Sequence, residues 1–194
     1  MIYYVPVLIG IAVVGFFMWK TFWRGAYESA QYNVLRTEGA FELREYPDLK
    51  IVTTSMQVGS QGEDGSFMRL FRYISGNNEQ QQKIAMTTPV FMERKEETDS
   101  GQMAFVLPSD VASNVIPDPN ADDVGIVTRP AGTFASIQFS GSIDEPVIEQ
   151  QKAKLVQWIQ QSGYTIIGEM EVAGYDAPIT PGFLRRNEIL FRVE

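Results

Sequence analysis

Apolar positions along this chain change period several times, and each change marks an element. Residues 2–19 carry no charge over eighteen positions, about the minimum that crosses a bilayer's hydrocarbon core as a helix. From Tyr32 the period falls to two: Phe41, Leu43 and Glu45 share one face of a strand, and Glu42, Arg44 and Tyr46 the other. Pro47-Asp48 breaks that run, and the β-branched stretch 49–58 predicts the next strand. A glycine-bounded loop over 59–65 follows. Phe67, Leu70, Phe71 and Ile74 then recur at i, i+3, i+4 and i+7, one apolar stripe of a helix over 66–74 that stops at Ser75-Gly76. Residues 83–92 and 102–107 predict two strands around a charged hairpin tip at 93–101.

The same order then returns. Residues 124–130 and 133–140 predict strands, the second with Phe134, Ser136 and Gln138 opposed to Ala135, Ile137 and Phe139. Asp144 is a candidate N-cap and Pro146 fits the first turn of a helix over 146–161. That helix turns Ile148, Leu155, Val156, Trp158 and Ile159 inward and ends at Ser162-Gly163. Residues 164–173 and the segment 175–193 return as strands. Strand, strand, helix, strand, strand occurs twice, in halves of about 32–107 and 124–194. One window supports a duplication: residues 87–96 align with 179–188 with five identities in ten, Thr88/Thr180, Pro89/Pro181, Phe91/Phe183, Arg94/Arg186 and Glu96/Glu188. Each copy reads as a strand entered through a proline turn. Residues 108–123 are rich in turn residues and read as a linker. Their Asp118-Pro-Asn-Ala-Asp-Asp123 run lacks the glycine and the final glutamate of a calcium loop. The expected fold is α+β: a distorted antiparallel β-barrel from two pseudo-repeats with two flanking helices, preceded by one N-terminal transmembrane helix.

Charge and composition narrow the partners. The chain has 194 residues and a formal charge of -8, and Lys20 and Arg24 are the only charges before Glu28. Nucleic acid is a poor partner for the acidic remainder, because backbone binding needs clustered Lys and Arg. Cysteine and histidine are both absent, which excludes thiol chemistry and removes the usual general base and the commonest metal ligand. Tyr3 and Tyr4 at one end of the apolar run, and Trp19, Phe22 and Trp23 at the other, form the aromatic belt of a span. No basic region precedes the run, so an uncleaved anchor is preferred to a signal peptide. Lys20 and Arg24 follow it, which puts the C-terminal part in the cytoplasm of a single-pass membrane protein. The expected organisation is an anchor and flank over 1–24, a link over 25–31 and one folded domain over 32–194.

Met86-Thr-Thr-Pro-Val90, Tyr73-Ile-Ser-Gly-Asn77 and above all Phe183-Leu-Arg-Arg-Asn-Glu-Ile189 resemble recurrent segments of the SOUL haem-binding proteins, in that family's order. The resemblance runs from about Tyr32 to Val193. It implies the barrel with two related halves, non-covalent binding of haem or another porphyrin, and no catalysis. Some members are thought to ligate iron through a histidine at the first helix, which this chain lacks; others bind porphyrin in an apolar groove beside that helix. The matching positions here are Phe67, Met68, Phe71, Tyr73 and Met86 as ring contacts, with Arg69, Arg72 and Lys83 as partners for the propionates. Tyr73 and Met86 are the choices for an iron ligand, with solvent as an equal alternative. Phe67, Phe71 and Met86 also read as core, and Arg185-Arg186 as a local ion-pair site with Glu188 or Glu171.

Two other function classes stay open. Two-repeat modules of this arrangement also resemble the small-molecule-sensing domains of gyrase-inhibitor-like proteins, for which the ligand is a different amphipathic molecule. An enzyme using the groove would need Glu or Tyr as its acid or base, and no triad, P-loop, dinucleotide fingerprint or zinc spacing supports it. The pattern names no protein partner.

Overall fold

A computed structural model describes residues 27–60, 63–94, 100–177 and 179–194. The expected anchor and its flank over 1–24 lie outside the described residues, as do the first two residues of the 25–31 link and positions 95–99 of the charged hairpin tip. Among the described residues no helix is long and apolar enough to cross a membrane.

In chain order the elements are β1 (Glu28–Ser29), β2 (Asn33–Glu38), β3 (Phe41–Tyr46), β4 (Leu49–Gln57), α1 (Ser66–Ile74), β5 (Thr87–Thr88), β6 (Val90–Arg94) and β7 (Ser100–Val106). There follow α2 (Ser109–Ala112), β8 (Val124–Arg129), β9 (Gly132–Phe139), α3 (Glu145–Gln161), β10 (Met170–Gly174), a 3₁₀ turn at Gly182–Leu184 and β11 (Asn187–Arg192). Both expected helices form within a residue of their predicted bounds. α2, a single turn, was not expected and lies within the segment read as linker. Asp144 stands at the N-cap of α3, where its carbonyl receives the Val147 and Ile148 amides and its carboxylate takes the Ser142 hydroxyl.

Nine antiparallel strands form one sheet in the order β2-β3-β9-β11-β10-β6-β7-β4-β8, and β1 pairs separately, in parallel, with β5. Outward from the β10–β6 seam the order is third, fourth and second strand of one half, and then the first strand of the other half. Thus β3 pairs with β9 and β8 with β4. Each half surrenders its first strand to its sibling, and this exchange binds the two into one sheet. The window of identities is not what expresses the repeat. Thr87–Arg94 enters β6, a third strand, whereas the aligned residues form the 3₁₀ turn and the approach to β11, a fourth strand.

The sheet curls but does not close into the expected barrel. Among the described residues β2 is exposed along all six positions and has a partner on one side, while β8 pairs only with β4. Side chains rather than ladder hydrogen bonds bring the ends together. Arg129 on β8 lies over the Phe134 ring of β9 at 3.9 Å and over the Tyr46 ring of β3 at 4.9 Å, and binds Glu171 of β10 with both Nε and Nη2 at 3.0 and 2.7 Å. Its remaining Nη1 has no hydrogen-bond partner and belongs to a guanidinium caged by aromatic faces. The alternation of β11 shows how the layers divide. Ile189 and Phe191 join the helix-side core with Leu70, Tyr73, Leu155 and Ile159, while Leu190 joins the concave-side cluster with Tyr46, Phe91 and Phe134.

Candidate functional site

The site is built from the start of α1. Gly65 takes a φ of 86°, open to glycine, and Asp64 accepts the Ser66 amide at 3.0 Å and the Gln57 amide at 2.8 Å. Those bonds tie the first turn to the end of β4. Slight burial pushes the Asp64 carboxyl up, but its hydrogen bonds from Ser66 and Gln57 outweigh this and hold it below the usual range. At the other end Asn78, fully buried, donates to the carbonyls of Tyr73 and Gln82 and accepts the Gln82 amide, which fixes the turn after the helix.

So placed, α1 forms one wall of a groove of about 430 Å³. Phe67 and Met68 stand on that wall, Val90 and Met92 of β6 and Met103 of β7 line the floor, and Ile143, Gly174, Asp176, Arg185 and Asn187 close the far side, which belongs to the second half. The groove therefore lies over the β10–β6 seam where the halves meet, the sort of place where pockets of this size take small molecules. The far side is fastened by Gly141, which receives the Asn187 side-chain amide at 2.9 Å and gives its own amide to Gly182. The exposed Met68 thioether and the Phe67 ring, over the buried Met92 and Met103, give a soft, polarizable surface that suits a flat apolar ligand.

The residues picked from the sequence divide around α1. Phe67 and Met68 line the groove, and Phe71, 42% exposed, stacks on Phe67 at 6.0 Å. Arg69 points to the opposite flank: it binds Thr54 Oγ1 and the Ser55 carbonyl on β4 and pairs with Asp123 at 3.3 Å. Tyr73 is buried in the core and donates its hydroxyl to the Pro117 carbonyl at 2.8 Å; burial, then the charge of Asp118, pushes it up to about 12. Met86 is half-buried against the helix-side core. Arg72 and Lys83 are exposed, the stem of Lys83 lying beside Gly76. The groove's own methionines on β6 and β7, and Arg185, did not stand out as binding residues. Met92 and Met103 are buried and read as core, and they also form the floor beneath the helix.

The pair Arg185-Arg186 also divides. Arg186 donates to Glu188 Oε1 from Nε at 3.0 Å and from Nη2 at 2.6 Å, on the concave side. Glu188, fully buried, also takes Arg44 Nη2 at 3.0 Å and the Tyr175 hydroxyl at 3.0 Å. Burial pushes the Glu188 carboxyl up, but hydrogen bonding from Arg44 and the charges of Arg44 and Arg186 outweigh it and hold it below its ordinary range. Glu171 goes to Arg129 instead. The arginine–glutamate segment is therefore a closed ion cluster, and Arg185 alone of that pair reaches the groove, with Nε on the Thr180 carbonyl at 2.7 Å.

Comparison with known proteins places the sequence and the fold. The model of the SOUL heme-binding protein family matches residues 27–192. Heme-binding protein 1 of Xenopus tropicalis is 30% identical over 160 residues, 78% of this chain and 83% of that protein. Heme-binding protein 2 of Homo sapiens is 28% identical over 168 residues, 80% of this chain and 78% of that protein. Among solved structures, the C-terminal domain of EcmrR superposes with a TM-score of 0.59 at 16% identity over 84% of this chain and 98% of that one. A hydrolase from Listeria innocua gives 0.59 at 12% identity over 82% and 94%. At such identities these last two likenesses are of fold alone.

Proposed function

The chain belongs to the SOUL heme-binding protein family, and from that membership we propose that it binds haem or a related tetrapyrrole non-covalently, as a carrier or buffer rather than an enzyme. The N-terminal apolar run holds it to a membrane, with the folded part on the cytoplasmic side. One observation carries the assignment of the site: Phe67, Met68, Met92 and Met103 line one groove over the seam between the halves. Burying the porphyrin faces there contributes about 25 cal/mol per Å² of apolar area before ordering and association costs.

The residues present fit the ligand's apolar body better than its iron or its acidic ends. Among the described residues Met68, Met92 and Met103 are the groove's thioethers, and its one cation is Arg185. The Tyr73 hydroxyl is buried and engaged, which keeps it from iron, and Met86 lies outside the groove's lining. Haem, when bound, would add a metal able to accept a thioether or solvent, and the chain itself supplies apolar contact and one guanidinium.

Titration of the protein with hemin and with the iron-free porphyrin tests this. Both should bind saturably, within about tenfold of each other or about 1.4 kcal/mol. Tight hemin binding without porphyrin binding would make iron ligation dominant. Saturable binding of neither, with binding of a cationic or neutral amphipath, would favour the second reading, for which the specific observation is that Glu63 and Asp176 outnumber Arg185 among the groove's charges.

A further inference from the structure

Two of the largest apolar exposures in the fold stand on one loop beside the groove. Ile179 is 84% exposed and Phe183 77%. Their exposure is not a matter of loose backbone. Thr180 N bonds the Ala177 carbonyl, Leu184 N the Pro181 carbonyl and Arg185 N the Gly182 carbonyl, while Asp176 receives the Arg186 amide at 2.6 Å. The loop holds both side chains away from the protein, and the same loop supplies Asp176 and Arg185 to the groove's rim.

The chain's entry into the fold lies at the same end of the sheet. Gly174 pairs with Val90, so the segment after Gly174 continues toward Thr88 and Thr87. β1 lies against β5 there, with Glu28 opposite Thr87 and Ser29 opposite Thr88. Seven residues, 20–26, separate Trp19, the last of the uncharged run, from Tyr27. They reach at most about 25 Å at the extended-chain limit. A fold tethered that closely at that end must turn the same end toward whatever holds the apolar run. The loop is also chemically suited to a headgroup layer. Between Asp176 and Glu188 the sequence has no acidic residue and has Arg185 at the groove, Arg186 being held by Glu188, although the chain as a whole is at -8. An aromatic ring and an aliphatic tip next to an arginine are the usual furniture of a bilayer interface.

We propose that the loop carrying Ile179 and Phe183 is a membrane-contact element that seats the mouth of the groove on the lipid surface, so that an apolar ligand passes between bilayer and groove without crossing bulk water. The contact itself requires only the tether and the loop; the passage of ligand rests on the tetrapyrrole reading above.

The absence of cysteine makes the test clean, because a single introduced thiol is the only one to label. The full chain is reconstituted in vesicles of phosphatidylcholine and phosphatidylglycerol containing nitroxide lipid, with bimane at Ala177→Cys beside the loop tip or at Ile167→Cys. Ile167 is also an exposed apolar position, but it precedes β10 at the other end of the sheet. A blue shift and lipid quenching at 177, with neither at 167, are expected. Ile179→Asp with Phe183→Asp should then abolish both signals at 177. Equal signals at the two positions, or none at 177, would overturn the contact, and the latter is what a protein partner on this loop would give. Hemin titration of the same vesicles separates the two proposals: quenching without hemin binding removes only the ligand, and hemin binding without quenching removes only the membrane contact.

Discussion

The two faces of the central strands are built for opposite ends. On the concave side, Arg44, Arg186, Glu188 and Tyr175 form a buried, mutually bonded cluster, and Arg129 with Glu171 forms a second under a roof of Tyr46, Phe91 and Phe134. On the helix side, one residue away along the same strands, Phe67, Met68, Val90, Met92, Met103 and Ile143 line the groove beside three charged residues. Dense, paired charge marks the concave face and its scarcity the groove. A buried charge must be paired wherever it sits, so Arg186 and Glu188 are explained by folding alone, whereas apolar side chains left partly uncovered, such as Phe67 and Met68, are not.

Glu188→Gln should separate the two faces most sharply. It leaves the buried Arg44 guanidinium and the half-buried one of Arg186 short of their shared carboxylate, and loss of one partner of a buried pair costs about 3–5 kcal/mol. Urea unfolding should show the loss, while affinity for porphyrin per folded molecule stays unchanged. The wild type should approach the same deficit in acid. Because the folded-state pKa of Glu188 lies below its unfolded value, its contribution is present above the ordinary glutamate pKa and fades as pH falls through the depressed one.

Met68→Glu should act the other way round. Met68 is 47% exposed, so stability should move by no more than about 0.5 kcal/mol, the range of surface substitutions. A carboxylate in the groove wall should nevertheless weaken binding of the anionic porphyrin about tenfold, or about 1.4 kcal/mol, read by titration. A variant that unfolded instead, or one that bound normally, would move the ligand away from α1.

Local periodicity exposed what local physics decides. The stripe of α1, the inward residues of α3 and the doubled order of elements follow from spacing and from glycine and proline at the ends. Strand pairing is a different matter, because exchange of β3 and β8 between halves is settled by contacts far apart in sequence. The curled sheet likewise stays open with Arg129 reaching across it by its side chain, which an alternating pattern does not reveal. Within α1 the pattern located a face but not its centre. Tyr73 stands at the centre and Phe71 on the flank, since a phenol with a carbonyl acceptor can be buried while a larger apolar stripe runs past the core's edge.

Tyr73 therefore sets the boundary between core and groove, and its replacement has the smallest expected effect. Tyr73→Phe keeps the ring that packs against the helix-side core and removes only the hydroxyl bonded to Pro117. One buried carbonyl loses its donor, so unfolding in urea should become easier by about 1 kcal/mol. A phenol pushed up to about 12 and already engaged is a poor source of phenolate for iron at neutral pH. The absorption spectrum of the hemin complex should accordingly be the same in Tyr73→Phe as in the wild type. A shifted spectrum with unchanged stability would mean that the ring swings out to meet the ligand. The groove would then extend beneath α1, and Tyr73 would belong to the site rather than to the core.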